Sequence, residues 1–343
     1  MSDVSRRVVT GVPRSPVLRP PALRPGDTVM LVSPSGPARA EPVARGIELM
    51  SGWGLKVELG PDVYARHGYL AGTDEVRLAS FNTALRDPAV RGLVCTRGGY
   101  GAQRIVDGLD VEAVRSDPKV VVGFSDITAL QLALWRRVRL ATVHGPGAAW
   151  LDDRTPEASA ESLRKALMTD DDIVVVADPG AESGPVRSTG SASDGRASDG
   201  AGGDGTVSGT LLGGNLCLLT ASIGTPDLTA LDGALLLLEE VAEPPYKVDR
   251  MLTQLRRASV LSRVAGIALG QFTRCSDGWP VTVAEVLAER LGDLGIPVLG
   301  GLPVGHGYGQ LTVPVGVPAT LDVAAGTLTV SAAVSADRFT SPV

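Results

Sequence analysis

The sequence predicts an α/β protein in which a doubly wound parallel sheet is followed by a second, smaller domain of mixed α/β structure. In the first half, short strands that are apolar throughout alternate with helical patterns, as in a parallel sheet covered on both faces. A stretch rich in Gly, Ser and Asp then interrupts the chain, and the strands that follow end in an antiparallel pattern. We therefore divide the chain into a flexible N-terminal tail, a first domain, a linker or insertion, and a second domain, at residues 1–24, 25–178, 179–208 and 209–343.

The first domain has four predicted strands, each followed by a helix, at Thr28–Val32, Leu55–Leu59, Leu93–Cys95 and Val120–Val122. The first helix is expected to end near Met50. Thr73 is expected to cap the second helix, because its side chain can accept a hydrogen bond from the first turn and two acidic residues follow it. Apolar residues at helical spacing form the buried face of that helix, namely Leu78, Phe81 and Leu85.

The second domain has three predicted internal strands, at Leu235–Leu238, Ile267–Leu269 and Val298–Leu299. The segment Val248–Arg257 is predicted to be a helix, since its apolar residues recur on one face. The domain is expected to end in antiparallel strands at Leu311–Val315 and Thr320–Val330, with a turn at Ala325–Gly326.

Charge and hydropathy argue against two classes of partner. The formal net charge is -6, whereas a nucleic-acid surface needs clustered Lys and Arg. No apolar run approaches the roughly 20 residues of a membrane-spanning helix. Ser5–Arg7 resembles a twin-arginine export signal, but the apolar run Val8–Val12 is shorter than the roughly 7–15 residues of a signal core. We therefore expect a cytoplasmic protein that binds neither nucleic acid nor membrane.

Cysteine and histidine usage argues against disulfides and metal. The three cysteines are far apart in apolar surroundings, so we expect Cys95, Cys217 and Cys275 to be reduced, packed thiols. The chain has three histidines and neither a C-x-x-C nor an H-E-x-x-H motif, so no metal site is predicted.

Ser125 is the candidate nucleophile, because Gly123–Ile127 runs from an apolar strand directly into a helical pattern. Such a turn exposes the serine above the sheet edge and points the free N–H groups of the helix N-terminus toward it. Only half of a G-x-S-x-G elbow is present, since Ile127 replaces the second glycine, and an α/β-hydrolase fold is not indicated. A serine here is equally typical of a simple helix cap, and both interpretations stand.

A glycine-rich turn, Arg97–Gly101, follows the preceding strand. Adjacent glycines let the backbone approach a ligand closely, and ligands of open α/β sheets bind at the carboxyl ends of strands. The N–H of Gly98 or Gly99 could thus pair with that of Asp126 as an oxyanion hole. An ordinary turn and a phosphate cradle remain alternatives, although the spacing matches no phosphate-binding motif.

A serine nucleophile needs a base and an acid that orients the base. His67, His144 and His306 are all candidate bases, and each could instead be structural. Glu239 and Glu240 end an apolar strand, and because side chains alternate in a strand, only one of them can face a site. A solvated strand end is the alternative for this pair.

Several segments together resemble the LD-carboxypeptidase (muramoyltetrapeptide carboxypeptidase) family of serine peptidases. The resemblance covers about residues 25–330 apart from the linker and keeps the family's order. It rests on Arg97–Gly101, Gly123–Asp126, Leu238–Val241, Tyr246–Leu252 and Gly305–Gly307, with support from Gly68–Asp74, His144–Pro146 and Leu212–Leu216.

The resemblance implies a flavodoxin-like N-terminal domain, a C-terminal domain that brings the acid and base, a homodimer, and no metal or organic cofactor. It also implies a role for each site residue. Ser125 matches the nucleophile, His306 the general base and Glu239 the orienting acid. The implied oxyanion donors are the N–H groups of Asp126 and of the Gly98–Gly99 turn. On the same turn, we expect Arg97 and Tyr100 to contact substrate.

The chain departs from the family pattern in two places. Family members often carry an asparagine shortly after the histidine, where this chain has Gly307–Gln310. The insertion at 179–208 is longer than expected, and it precedes the acid and base, where a loop could border the site.

The implied activity is removal of the terminal D-alanine from a murein tetrapeptide during cell-wall recycling. The alternative is cleavage of a peptidyl- or aminoacyl-nucleotide antibiotic, as by the related microcin C immunity peptidases, for which Trp150 or Trp279 would supply an aromatic platform. A third hypothesis is a non-catalytic protein that uses the Gly98–Gly99 turn to bind an anion.

Overall fold

Two sheets with helices packed on them make up the structure, a computed structural model that describes residues 16–150, 155–190, 205–228 and 231–337. The strands are β1 Thr28–Val32, β2 Lys56–Leu59, β3 Val90–Cys95, β4 Val120–Gly123, β5 Thr142–His144, β6 Ile173–Val176, β7 Arg187–Thr189, β8 Thr206–Asn215, β9 Leu235–Val241, β10 Gly266–Thr273, β11 Pro297–Leu299, β12 Val313–Val315, β13 Val317–Asp322 and β14 Thr327–Val330. The helices are α1 Ala40–Gly52, α2 Asp74–Arg86, α3 Val111–Ser116, α4 Thr128–Val138, α5 Glu157–Met168, α6 Leu216–Ala221, α7 Pro245–Arg257 and α8 Val283–Leu291.

The first sheet has the strand order β12-β5-β4-β3-β1-β2. Its five strands from the first half of the chain are all parallel. They follow the order 2-1-3-4-5, which is that of flavodoxin-like doubly wound folds, so the predicted fold of this region is confirmed. All four residues of β4 are buried, in accord with a strand covered on both faces.

The second sheet is mixed and has the order β6-β14-β13-β8-β9-β10-β11-β7. Strands β8 to β11 are parallel, and antiparallel strands extend the sheet on both sides. The predicted antiparallel end is present as the β13–β14 hairpin. Leu235–Leu238 in β9 are fully buried, which explains why this strand has an unbroken apolar sequence.

Membership of the second sheet does not follow the predicted boundary at residue 178. Strand β6 lies before that boundary but pairs with β14, and β7, inside the predicted linker, pairs with β11. Both are edge strands, and exposed residues alternate with buried ones in β6. The sequence analysis did not identify β6, and which sheet this strand joins depends on contacts remote in sequence. Most of the Gly/Ser/Asp-rich run, 191–204, lies outside the described residues.

Strand β12 lies within the predicted second domain, but it pairs in the first sheet and not with the antiparallel strands expected to follow it. It pairs antiparallel with β5. Gly316, with φ +84°, then redirects the chain so that β13 enters the second sheet. The two sheets therefore share a continuous segment of chain at this point.

The end of the predicted N-terminal tail is part of the fold. Leu18 forms a bridge with Leu140, Pro21 forms one with Ser335, and Leu23 is buried. Residues 1–15 lie outside the described residues, so the prediction of a flexible start is untested.

Of the remaining local predictions, some are confirmed and one is wrong. Thr73 caps α2, accepting from the Val76 N–H at 3.4 Å, as predicted. Cys95 and Cys275 are buried free thiols, but Cys217 is exposed, because it lies on the outer face of α6. Across the described ranges, no helix combines the length and hydropathy needed to traverse a bilayer.

Candidate active site

A cavity of about 490 Å³ opens where loops at the carboxyl ends of strands from both sheets meet. The first sheet contributes the loops after β3 and β4, and the second sheet contributes the end of β9 and a loop after β11. The residues that line the cavity are Arg39, Pro42, Arg97, Gly98, Gly99, Phe124, Ser125, Ala149, Trp150, Val241 and His306.

Ser125 stands at a sharp turn between β4 and a short 3-10 segment that leads into α4. Its φ is +63°, in the left-handed region that a residue with a Cβ adopts at an expense of about 1–2 kcal/mol. A Cβ on Gly123 would lie 2.8 Å from two carbons of Ile127, so this glycine leaves room for the isoleucine. The turn is thus an elbow in which Ile127 packs where the G-x-S-x-G pattern has its second glycine.

The glycine-rich turn after β3 lies directly against this elbow. A Cβ on Gly98 would be 2.8 Å from Cβ of Ser125 and 3.1 Å from the Asp126 nitrogen. The Gly98 carbonyl accepts from the Gly36 N–H at 3.3 Å and from Arg97 Nε at 3.2 Å. In a trans peptide the N–H points opposite to the C=O, so the Gly99 N–H points away from these two donors.

His306 is held by a buried carboxylate. Its Nδ1 lies 2.6 Å from Oε2 of Glu239, which is fully buried at the end of β9. The imidazole also packs against Phe124 and Trp150, with ring centroids 4.7 Å and 5.8 Å away. Gly305, with φ +137°, permits this approach, since a Cβ there would lie 2.9 Å from Oε2 of Glu239. The Nδ1 contact leaves Nε2 as the ring nitrogen that can serve a nucleophile.

The electrostatics of Glu239 suit this contact. Burial alone would raise the pKa of Glu239. The charge and hydrogen bond of His306, with a contribution from His144, outweigh burial and hold that pKa below its ordinary value. Glu239 is therefore a carboxylate at neutral pH, and a carboxylate beside Nδ1 stabilises a positive charge on the ring.

Glu240, the other member of the acidic pair, points to the opposite face of the strand. It accepts from Asn215 Nδ2 at 2.9 Å and from the Cys217 N–H at 2.8 Å, at the start of α6. Burial and, next, the charge of Glu239 raise the pKa of Glu240 to about 7. The sequence left open which glutamate faces the histidine, and the structure places Glu239 there.

Two glutamines that the sequence analysis did not identify hold the His306 loop. Gln271 Oε1 accepts from the Gly307 N–H at 2.7 Å. Gln310 is fully buried and, in the amide orientation that satisfies both neighbours, donates to the Gly305 carbonyl at 2.9 Å and accepts from Trp150 Nε1 at 2.6 Å. A polar residue after the apolar run Gly266–Gly270 was the signal for Gln271. Gln310 stands near the position where an asparagine was expected, and its contacts became visible only in the fold.

The cavity brings together most, but not all, of the predicted residues. Ser125, His306, Gly98, Gly99 and Arg97 line it. Tyr100 is not among the lining residues in the described part of the chain; it is 54% exposed and packs edge-to-face against Tyr69.

The other candidate histidines and the second candidate tryptophan lie elsewhere. His67 lines a separate cavity with Tyr69, and His144 is fully buried. Trp150 lines the cavity of Ser125, whereas Trp279 is exposed and packs at a tilt against Tyr246.

Two family models match this chain. One, described as the LD-carboxypeptidase N-terminal domain, matches residues 29–145, and the other, described as the LD-carboxypeptidase C-terminal domain, matches residues 208–321. The first contains the Ser125 elbow and the glycine-rich turn, and the second contains Glu239 and His306.

Similar proteins extend over nearly the whole chain. A putative carboxypeptidase of Streptomyces coelicolor is 42% identical over 91% of this chain and 96% of its own length. The murein tetrapeptide carboxypeptidase of Pseudomonas aeruginosa is 31% identical over 86% of this chain and 92% of its own. A solved structure of MccF in complex with glutamyl sulfamoyl guanosine has a TM-score of 0.79 at 26% identity, covering 93% of this chain and 100% of that one. By sequence and by fold, the chain belongs to the LD-carboxypeptidase family.

Proposed function

We propose that this chain is a serine carboxypeptidase that hydrolyses the L,D-peptide bond before a C-terminal D-amino acid of murein tetrapeptides, with Ser125, His306 and Glu239 as its catalytic triad. The observation that carries the proposal is the 2.6 Å contact between His306 and the buried Glu239, in a cavity that Ser125 also lines. The alternatives were a simple helix cap for Ser125 and a solvated strand end for Glu239. A helix cap needs no histidine in the same cavity, and a solvated strand end would not be buried against an imidazole.

In the proposed mechanism, Nε2 of His306 takes the proton of the Ser125 hydroxyl as its oxygen attacks the carbonyl before the terminal residue. Glu239 keeps the ring oriented through Nδ1 and stabilises the imidazolium that forms. His306 then protonates the leaving amine, and water, deprotonated by the same ring, releases the acyl group from Ser125.

The oxyanion would be held by the N–H groups of Gly99 and Asp126. The Asp126 N–H lies in the first turn of a helix, where N–H groups have no intrahelical partner. No described residue accepts the Gly99 N–H, and its direction opposite to the Gly98 carbonyl favours it over Gly98, which the sequence left as an equal candidate.

The substrate assignment draws on a relative and on the charge of the cavity wall. The relative from P. aeruginosa is named a murein tetrapeptide carboxypeptidase. Arg97, the first residue of the turn, lines the cavity. Within the described residues its Nε donates to the Gly98 carbonyl, which leaves the end of the guanidinium for a substrate carboxylate. Tyr100 would contact only a substrate that extends past the turn, and its role stays a prediction.

The direct test is Ser125→Ala, which removes the nucleophile and little volume. We expect kcat for D-alanine release from a murein tetrapeptide to fall by about 10⁴–10⁶-fold, measured by mass spectrometry of the products. A mechanism-based serine reagent should label the unchanged protein at Ser125. Near-normal turnover by the variant would exclude the mechanism, and absence of labelling together with tight phosphate binding would favour an anion-binding protein.

A second candidate substrate is a peptidyl- or aminoacyl-nucleotide. The observation that favours it is the likeness to MccF, whose structure holds glutamyl sulfamoyl guanosine, together with the position of Trp150 in the cavity wall. Trp150 also contacts Phe124 and His306, so packing explains it without a nucleobase. Incubation with both substrates separates the hypotheses, because release of D-alanine alone would exclude the nucleotide and cleavage of the nucleotide alone would exclude the tetrapeptide.

The homodimer and the cytoplasmic location stay predictions that follow from the family resemblance and the sequence. Both are compatible with a small peptide as the substrate.

A further inference from the structure

The peptide group between Gly101 and Ala102 is held at both ends by buried side chains of opposite charge. Its carbonyl accepts from Arg77 Nη1 at 2.8 Å, and its N–H donates to Asp126 Oδ2 at 2.8 Å. Arg77 and Asp126 are 1% and 2% exposed. A hydrogen bond away from water is costly to leave unmade, so this peptide plane has one preferred orientation.

The same two side chains fasten the loop that follows β1. Ser35 Oγ donates to Asp126 Oδ2 at 2.6 Å, and Arg77 Nη1 donates to the Pro34 carbonyl. The next residue, Gly36, donates to the Gly98 carbonyl. The loops after β1, β3 and β4 are thereby joined into one unit, and Asp126 belongs to the loop that carries Ser125.

The glycine-rich turn has a particular need of such an anchor. Gly99 and Gly101 have φ values of +125° and +118°, which glycine reaches without steric strain. Glycine adopts other conformations just as readily, so the turn sequence alone does not select the orientation that the proposed oxyanion role of the Gly99 N–H requires. Contacts from outside the turn must make that selection.

We propose that the carboxylate of Asp126 is a positioning group that sets the glycine-rich turn for catalysis, in addition to the role of its backbone N–H. The inference rests on the proposed function, in which Gly99 and Asp126 stabilise the oxyanion. A single oxygen, Oδ2, accepts from both Ser35 and Ala102, so the hydrogen bonds, and not the negative charge, carry the effect. The side chain acts through the turn and does not touch substrate.

The test compares Asp126→Ala with Asp126→Asn, since both keep the backbone N–H and only the asparagine keeps an oxygen that can accept both bonds. For the murein tetrapeptide we expect Asp126→Ala to lower kcat by about 10²-fold, as for a reacting group displaced by about 1 Å, with KM changed less than about threefold. Asp126→Asn should stay within about fivefold of the unchanged protein. Amide hydrogen exchange of residues 98–102 should accelerate in the alanine variant alone.

The matched control is Asp110→Ala. Asp110 also accepts from one backbone N–H, that of Ala113, and one side chain, that of Arg86, but it lies outside the cavity. The Asp110→Ala variant should keep the kcat of the unchanged protein even where it loses as much stability as Asp126→Ala. Ser35→Ala removes one of the two bonds with little risk to folding and should lower kcat by about 10-fold.

Three results would overturn the inference: a folded Asp126→Ala or Ser35→Ala protein with unchanged kcat, an Asp126→Asn protein as impaired as the alanine variant, or a loss confined to KM. If the unchanged protein itself releases no D-alanine, the proposed function fails; the hydrogen-exchange comparison still tests whether the carboxylate orders the turn.

Discussion

Ser125 and Glu239 both occupy positions that are unfavourable for their residue types. The serine has a left-handed backbone, and the glutamate is a carboxylate with no exposed surface. Such features persist only where the surroundings hold them, and they concentrate at functional sites. Here the Gly98 turn packs against Ser125, and the His306 imidazole contacts Glu239. Each unfavourable state is therefore held by another part of the same site.

His144, at the end of β5, gives a prediction about pH and stability. Burial lowers the pKa of this histidine from 6.5 to about 4, and neither ring nitrogen has a hydrogen-bond partner within the described residues. Between these pH values the unfolded chain binds a proton that the folded chain does not, so stability falls as the pH drops from about 6.5 to 4. At 1.36 kcal/mol per pKa unit, the full loss is about 3 kcal/mol.

The substitution His144→Phe should remove this contribution. Urea unfolding at pH 4.5 and 7.5 measures it. The unchanged protein should lose about 2–3 kcal/mol more than the variant on acidification. The two proteins should show parallel behaviour between pH 7.5 and 9, which serves as the internal control. Equal acid losses in both proteins would show that His144 is not the group responsible.

At the scale of elements, the site depends on how closely the β3 turn approaches the β4 elbow. The glycine at position 98 is the point of contact, because a Cβ there would lie 2.8 Å from Ser125 Cβ and 3.1 Å from the Asp126 nitrogen. Neither neighbour is the flexible end of a side chain, so the contact cannot be relieved without moving the elbow or the turn. The turn after β3 can therefore lie against the β4 elbow only if position 98 is a glycine.

We therefore expect Gly98→Ala to lower kcat by about 10²-fold or more, since the donors and the nucleophile would shift relative to each other. Steady-state kinetics with the tetrapeptide would measure the effect, and thermal unfolding would report the accompanying loss of stability. The control is Gly52→Ala near the end of α1, where an added Cβ meets no atom within 4 Å. Unchanged kinetics for Gly98→Ala would mean that the turn and elbow can separate freely.

At the scale of the whole molecule, the long insertion leaves and re-enters the fold at neighbouring points. A Cβ on Gly205 would lie 3.1 Å from Cα of Thr189, so the described residues that flank the segment 191–204 lie side by side. Replacing this segment by a four-residue Gly/Asn/Ser loop should keep kcat and KM within about twofold and raise the free energy of unfolding by about 1 kcal/mol, through the smaller closure entropy.

Denaturant unfolding and tetrapeptide kinetics would measure the two quantities. Substitution of the same number of residues by a Gly/Ser chain of the original length controls for composition. A rise in KM of more than about fivefold in the shortened protein, but not in this control, would show that the insertion borders the site.

Local sequence determined much of this protein. The apolar runs at Thr28–Val32 and Val120–Val122 predicted strands of a parallel sheet covered on both faces, since a strand buried on both faces has no polar side. The turn after β4 identified Ser125, because a serine between an apolar strand and a helix lies at the sheet edge beside the free N–H groups of the helix N-terminus. The set of motifs in order indicated the family, which the family models and relatives confirm.

Only the tertiary structure decided which residues meet. Strand alternation requires that Glu239 and Glu240 face opposite ways, but whether His306 approaches the first or the second depends on the path of a loop 67 positions further along the chain. The same holds for β6, β7 and β12, because strands remote in sequence determine which sheet each of them joins. It also holds for Gln271 and Gln310, whose hydrogen bonds to the His306 loop form only in the folded chain. Periodicity and turn chemistry act over a few residues, whereas pairing, burial and the direction of a carboxylate are set by whatever the folded chain brings alongside.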